Sequence, residues 1–203
     1  TFPNQHNAVE EQILHLMSNH PNPPHLLWIN RDLPVNHLGN LYESASAYVH
    51  LARGEGFGLP VAEAMLAKVP VISTASSGLA DFVDESTAFV IPSVLTKADS
   101  HVSIPGSQWY EPDELAVRTA IRSLYSGTSS EERKSKVQRA YERIEREFSW
   151  EAVGERVINS VRSALTEPKS IKVKHLTTFN SRCGIAEYSS LFQAALPKNV
   201  FSE

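Results

Sequence analysis

The sequence predicts an α/β fold in which helices cover both faces of a parallel sheet. Short apolar runs with the length of buried strands alternate with amphipathic segments of helical period as far as residue 165. The strand-like runs are apolar throughout rather than at every second position, which is typical of strands that are buried on both faces. A glycine-rich turn at 53–59 then joins one of these strands to the helix that follows it.

The first half of the pattern ends at residue 67. Its elements, in order, are helix 7–18, strand 25–29, helix 34–44, strand 47–52 and helix 60–67. Prolines at 21, 23 and 24 end the first helix. Pro60 suits the first position of helix 60–67, where its missing N–H group costs nothing.

The second half continues the alternation. Its elements, in order, are strand 69–73, a short helix at 82–83, strand 88–91, helix 113–125, the highly charged helix 129–147 and helix 150–165. Residues 93–108 are rich in Pro, Ser, Gly and His, and are predicted to form an irregular insertion. Glu111 and Asp113 are predicted to cap helix 113–125.

Composition limits the possible partners. With 203 residues the chain has room for one domain and part of a second, and its net charge of −4 gives no sign of binding to nucleic acid or to an anionic membrane. No apolar run approaches the length of a membrane span. The single cysteine, Cys183, rules out an internal disulfide and predicts a cytoplasmic location, with peripheral membrane attachment left open. The histidines lack metal-ligand spacing, so no metal is expected.

The glycine-rich turn and the helix that follows it provide two carboxylates, Glu55 and Glu63, with seven residues between them. Glycines let a backbone approach its ligand closely, and the free N–H groups at the start of a helix attract phosphate. A carboxylate would repel phosphate, but it is a natural acceptor for the vicinal hydroxyls of a ribose or a pyranose. We therefore predict a site for a nucleotide-diphosphate sugar, with Glu63 at the ribose and Glu55 at the sugar.

The sequence RGEGFGLPVAEAM at 53–65 resembles the E-x7-E signature of retaining glycosyltransferases with the two-domain GT-B fold, in particular family 4, the glycosyl transferases group 1. Glu55 and Glu63 match the two glutamates of that signature. The resemblance continues through VPVI at 69–72, SG at 77–78, WYEPD at 109–113 and FSW at 148–150. Lys68 is a departure, since the family usually has glycine there. A left-handed lysine would cost about 1 kcal/mol relative to glycine.

The resemblance implies a Rossmann-like domain, the carboxy-terminal half of a GT-B fold. It implies hexose transfer (EC 2.4), with retention and without a metal, from a nucleotide-diphosphate sugar to a glycan or a lipid-linked acceptor in polysaccharide or glycoconjugate synthesis. In the family, an amino-terminal domain supplies the acceptor contacts. We expect that domain to be missing from this sequence and the chain alone to be inactive.

The resemblance also assigns residues to the site. Glu55 is the predicted catalytic residue. The predicted donor-binding residues lie in the glycine turn and in nearby loops: Asn30, Arg31, Arg53, Glu55, Gly56, Phe57, Gly58, Leu59, Glu63, Ser77 and Gly78. Two assignments stay open, namely Arg53 as a phosphate partner or an ordinary strand-end arginine, and loop 76–78 as a donor contact or an ordinary turn.

Domain boundaries follow from composition and resemblance together. Residues 1–165 form the predicted donor-binding domain, truncated at its start, and 166–170 form a linker. Residues 171–203 resemble the first strand, loop and helix of a second glycosyltransferase module, a likeness carried by CGIAEY at 183–188. Strand 171–176 is expected to pair with the open edge of the sheet.

The sequence has two rival functional interpretations. A catalytically inactive module that binds nucleotide sugars fits the same residues. A dinucleotide-dependent oxidoreductase requires G-x-G-x-x-G, and the spacing of Gly54, Gly56 and Gly58 does not fit that motif. The oxidoreductase is therefore excluded, and the binding module stays as the alternative.

Overall fold

A computed structural model of the chain describes residues 5–99, 105–127 and 130–165. The predicted linker at 166–170 and the predicted second module at 171–203 lie outside the described residues. The chain divides into two compact units, Thr1–Leu38 and Gly39–Glu203. None of the described helices is long and apolar enough to cross a membrane.

The first unit contains helix α1, Gln5–Ser18, which confirms the predicted helix 7–18. The strand predicted at 25–29 is wrong, because these residues form no strand. Leu27 is 79% exposed, and the neighbouring apolar side chains are also exposed. A strand needs a second strand to satisfy its N–H and C=O groups, and an apolar run does not specify that partner. Helix α2, Val35–Ser44, matches the predicted helix 34–44 and contains the boundary between the units.

The second unit contains the remaining elements of the alternation. In chain order these are β1 (Tyr48–His50), α3 (Leu59–Leu66), β2 (Val71–Thr74), a 3-10 helix (Ser77–Asp81), β3 (Phe89–Ile91), β4 (Ser93–Lys97), β5 (Gln108–Pro112), α4 (Glu114–Tyr125), α5 (Ser130–Phe148) and α6 (Trp150–Leu165). Strands and helices thus alternate as predicted from β1 to β3. The short helix predicted at 82–83 is displaced, since the 3-10 helix ends before Phe82.

Three parallel strands form the sheet in the order β1-β2-β3, which confirms the predicted α/β class. Val71, Ile72, Ser73 and Thr74 of the central strand are all buried. Because successive side chains of a strand point to opposite faces, both faces of the sheet are covered at β2. Helix α3 contacts β1 and β2, while α4 contacts β2 and β3. The fold is therefore Rossmann-like, as the sequence pattern predicts.

The prediction of an irregular insertion at 93–108 is wrong at both ends of that range. Strands β4 and β5 form an antiparallel ribbon that pairs Ser93 with Pro112 and Lys97 with Gln108. Averaging composition over 93–108 concealed the strand-forming segment SVLTK, while QWYEP overlaps the predicted insertion only at Gln108. The prediction for Asp113 is confirmed, because its side chain caps α4 by accepting from Ala116 N at 2.9 Å. Glu111 does not cap this helix and pairs with another element.

The core lies between α3, the sheet and α5. Val61, Ala64 and Met65 of α3 are fully buried, and Ala140 and Ile144 of α5 pack in the same cluster. Burial of such side chains stabilises the fold by roughly 1.5–3 kcal/mol for each large one. Helix α3 is therefore the central element of the second unit.

A row of cations on α5 holds the segment that leads into β3. The buried Lys136 ammonium donates to the carbonyl oxygens of Glu85 and, at 3.1 Å, of Ala88. One helical turn further on, Arg139 donates to the Ser86 carbonyl at 2.8 Å, and Arg143 donates to Asp84 at 2.6 Å. Residues spaced by three and four positions lie on one helix face, which explains the alignment. The charged helix is thus not solely a solvated surface.

Acid should weaken this connection at Asp84. Burial disfavours the carboxylate, but hydrogen bonds from Ser86 and Arg143 outweigh burial and lower the pKa of Asp84 to about 2. A pKa lowered by folding adds stability above the unfolded value, about pH 4, and that stability is lost as the pH falls towards 2. We expect Asp84→Asn to flatten the pH dependence of the unfolding free energy in this window, measured by urea denaturation. Arg143→Gln should flatten it too, and an unchanged slope in both variants would contradict this account.

Lys68 allows a test of backbone strain. It follows α3 with a φ of 57°, in the left-handed region, and its ammonium lies 4.4 Å from the centre of the Tyr141 ring. Replacing Lys68 by Ala or by Gly removes the same ammonium, but only glycine removes the strain. The Gly variant should therefore be more stable than the Ala variant by about 1 kcal/mol in urea denaturation. Equal stabilities would show that residue 68 is unstrained.

Candidate functional site

Two loops meet at the edge of the sheet where the parallel strands end. Loop 51–58 follows β1, and loop 75–76 follows β2 and enters the 3-10 helix. Glu55 N donates to Ser77 Oγ at 3.0 Å, and Gly78 N donates to the Glu55 carbonyl at 3.1 Å. The two predicted donor-binding loops are therefore joined at Glu55. This is the edge at which α/β sheets bind their ligands.

Close backbone contact between the loops depends on Gly78. A Cβ atom at this position would lie 1.7 Å from the Gly56 carbonyl oxygen and 3.1 Å from Phe57 N. Neither atom could move aside without a shift of the glycine turn. Only glycine fits here, so the sequence SG at 77–78 is required by packing.

The start of α3 presents free N–H groups. Gly58 precedes the helix with a φ of 93°, and no side chain caps the helix. In the ranges that the structure describes, no acceptor is found for the N–H groups of Phe57, Gly58 and Leu59. Successive unpaired N–H groups at a helix start form an environment suited to an anion. A phosphate group could be held here by backbone alone.

A row of three rings connects the two glutamates. Tyr42 donates to Glu63 Oε2 at 3.1 Å, and its ring lies edge-on to Tyr48 at 5.6 Å between centres. Tyr48 stacks on His50, with 6.0 Å between ring centres, and its hydroxyl lies 3.4 Å from His50 Nδ1. His50 Nε2 in turn lies 3.3 Å from Glu55 Oε2. Glu63 and Glu55 thus lie at the two ends of one continuous row.

The charges of both glutamates act on this row. Burial is the main cause that raises the pKa of Tyr48, and the charges of Glu63 and Glu55 raise it further. Burial and the adjacent Glu63 likewise raise the pKa of Tyr42. Both phenols therefore stay protonated and remain hydrogen-bond donors. Tyr42 can then hold Glu63 in place over the whole physiological pH range.

Glu55 is held on both carboxylate oxygens. Its Oε1 accepts from Gly56 N at 3.1 Å, while Oε2 faces His50. Its side chain is still 29% exposed. Because a carboxylate can accept about four hydrogen bonds, Glu55 keeps acceptor capacity for hydroxyl groups of a ligand.

The two apolar residues of the turn, Phe57 and Leu59, differ in how far their side chains are buried. The ring of Phe57 packs against Phe82 and Phe148 at 5.0 and 5.4 Å between centres. Leu59 is 51% exposed at the first position of α3. Phe57 therefore fixes the end of the turn through its side chain, and only its backbone N–H is available to a ligand.

Arg53 begins the turn and is already paired. Its Nε and Nη2 donate to the two carboxylate oxygens of Glu111 at 2.7 and 2.8 Å, in a bidentate ion pair. Its guanidinium also lies 4.5 Å from the centre of the Trp109 ring. The sequence assigned Glu111 to a helix cap, and the structure shows it on β5 as the partner of Arg53.

Two other predicted site residues belong to the first unit. Asn30 and Arg31 are exposed residues of the first unit, and the site described here is built from the second unit alone. Among the described residues, no cluster of three or more His, Cys, Asp or Glu side chains could hold a metal ion.

Sequence reasoning missed four residues that surround the glutamates: Tyr42, Tyr48, His50 and Glu111. Tyr48 and His50 occupy alternate positions of β1 and therefore share a face of the strand. That alternation was visible in the sequence, whereas the pairing of Tyr42 and Glu111 with distant residues was not.

The fold and the site together define a Rossmann-like α/β domain with a turn of free N–H groups and two carboxylates at its carboxyl edge. Residues 7–101, just under half of the chain, match the model of the family described as glycosyl transferases group 1. That match includes both glutamates and both loops. Comparison with curated proteins gives no match.

A solved structure also shows similarity. It is the 1.35 Å crystal structure of the carboxy-terminal domain of a glycosyl transferase group 1 family protein, LpcC, from Francisella tularensis. The sequence identity is 18% and the TM-score is 0.48. The similarity covers 73% of this chain and 64% of that domain, so the chain spans less than two thirds of its length.

Gly78→Ala should separate the two loops. The added methyl group would overlap the Gly56 carbonyl, so we expect a loss of roughly 2 kcal/mol or more in unfolding free energy, measured by chemical denaturation. Gly54→Ala is the matched control, because a Cβ at Gly54 meets nothing within 4 Å. Similar losses in the two variants would contradict the close contact.

Proposed function

We propose that this chain is the donor-binding domain of a group 1 glycosyltransferase with a GT-B fold of the retaining family 4 type. The proposal rests chiefly on one observation, the row of rings that joins Glu55 and Glu63 beside the free N–H groups of the glycine turn. The family match at 7–101 includes these residues and supports the proposal.

In this proposal the turn binds the diphosphate of a nucleotide sugar. The N–H groups of Phe57, Gly58 and Leu59 would bind phosphate oxygens, aided by the positive end of the α3 dipole. Loop 76–78 would support the same face through its contact with Gly56. In this proposal backbone donors bind the diphosphate directly, and no metal is involved.

The two glutamates would then bind the two ends of the donor. Glu63 lies one turn into α3 and would accept the ribose diol, with Tyr42 holding its other side. Glu55 precedes the free N–H groups and would accept hydroxyls of the transferred hexose. His50 and Gly56 restrict the rotation of Glu55, so less entropy would be lost on binding. Because it lies at the sugar, Glu55 is the proposed catalytic residue.

The remaining chemistry would require a second domain. An acceptor, either a glycan or a lipid-linked sugar, would approach the hexose from a preceding domain that the longer protein contributes. Transfer would proceed with retention of anomeric configuration in the synthesis of a polysaccharide or glycoconjugate. The chain by itself would bind the donor weakly and transfer no sugar.

Calorimetry of this chain against UDP-, GDP- and ADP-linked sugars tests donor binding. We expect one base to be preferred and Glu63→Gln to weaken binding of that donor about ten-fold, because a charged acceptor of the diol is lost. The matched control is Glu114→Gln on the exposed surface of α4. Equal affinities in the wild type and Glu63→Gln would remove Glu63 from the site.

A substitution at Glu55 distinguishes an active glycosyltransferase from a module that only binds the donor. In the longer protein, Glu55→Gln should abolish transfer, measured with radiolabelled donor, while donor binding persists. Transfer at the wild-type rate would exclude Glu55 from the mechanism. Donor binding without transfer in the wild-type protein would favour the inactive binding module.

A further inference from the structure

Arg53 is connected to three consecutive residues of β5. Its guanidinium forms the bidentate pair with Glu111 and lies over Trp109, and its carbonyl oxygen accepts from Tyr110 N at 2.9 Å. These contacts join the first residue of the glycine turn to the β4–β5 ribbon, which is 56 to 58 residues away in sequence. These are the hydrogen bonds that connect the turn to the ribbon in the described part of the chain.

The geometry gives the guanidinium a fixed direction. Two parallel N–H···O bonds define a plane, and the Trp109 ring covers a face of that plane. The hydrogen bonds from Arg53 also lower the pKa of Glu111, which keeps this carboxylate charged. The positive charge of Arg53 is therefore balanced by Glu111.

The start of the turn has little other support. A Cβ at Gly54 or at Gly56 would meet nothing within 4 Å, so neither position is packed on the side where a side chain would stand. Further along, Ser77 and Gly78 hold Glu55, and the Phe57 ring holds the end of the turn. Without the contacts of Arg53, residues 53 and 54 would be free to move relative to these fixed points.

We propose that Glu111 and Trp109 are positioning residues, which hold Arg53 and thereby fix the start of the glycine turn, ahead of the N–H groups that would bind the diphosphate of the donor. Arg53 then acts through the backbone and not as a direct phosphate ligand. This inference rests on the proposed function. It adds a role for the β4–β5 ribbon. The second strand of that ribbon, β5, lies outside the matched residues 7–101.

The test compares variants that keep or remove charge. Lysine keeps the charge of Arg53 but cannot form the bidentate pair. Arg53→Lys and Glu111→Gln should therefore both weaken binding of inorganic pyrophosphate about five-fold, measured by NMR titration. Both should also speed amide hydrogen exchange at 54–58. The exchanged pair, Arg53→Glu with Glu111→Arg, should restore slow exchange.

An exposed ion pair on α4 provides matched controls. Arg118 Nη2 lies 3.6 Å from Glu114 Oε2, and both side chains are more exposed than Arg53 and Glu111. Arg118→Lys and Glu114→Gln should change neither pyrophosphate affinity nor exchange at 54–58. A general effect of losing one ion pair would change the control variants as well, and would overturn the inference.

The remaining outcomes separate the two proposals. If Arg53→Lys binds pyrophosphate as tightly as wild type while Arg53→Gln does not, Arg53 contacts phosphate directly and the positioning role is wrong. If the wild-type chain binds no pyrophosphate, the proposed function fails, and exchange alone decides the positioning role. Faster exchange at 54–58 in Arg53→Lys and Glu111→Gln then supports that role, and unchanged exchange overturns it.

Discussion

The contact between Gly78 and the Gly56 carbonyl is the constraint on which the candidate site depends. The two loops can share hydrogen bonds at Glu55 only because Gly78 has no side chain, since a Cβ at Gly78 would overlap the Gly56 carbonyl. Glu55 is consequently fixed by two neighbouring strands of the sheet, through the loops that follow them. Glu55 can therefore keep its carboxylate in one position while the N–H groups of the residues that follow it stay in another.

The rest of the second unit keeps these loops in place. Helix α3 is buried against β2 and α5, and its first turn begins at Gly58. The cations of α5 bind carbonyl groups of the segment before β3, which holds the third strand against the second. Phe57 reaches into the same core through Phe148 at the end of α5. Core packing and loop geometry are therefore two parts of one arrangement.

Charges around the site are arranged in pairs. Glu55 faces His50, Glu63 accepts from Tyr42, and Glu111 binds Arg53. Each acidic group thus has a polar neighbour that directs it, and the backbone N–H groups between them are left for a ligand. This separation explains how an anion could bind close to two carboxylates, since the hydroxyl-accepting groups and the phosphate-binding groups occupy different parts of the loop.

Some features followed from the sequence because they are local. The alternation from β1 to β3, Pro60 at the start of α3 and the spacing of Glu55 and Glu63 follow from residues that are close together in the chain. The tertiary structure alone decided that 25–29 forms no strand, that β4 pairs with β5, that Tyr42 reaches Glu63 and that Arg53 binds Glu111. These contacts join residues far apart in the chain. Periodicity and turn chemistry describe neighbours, whereas the choice of a distant partner depends on how whole elements pack.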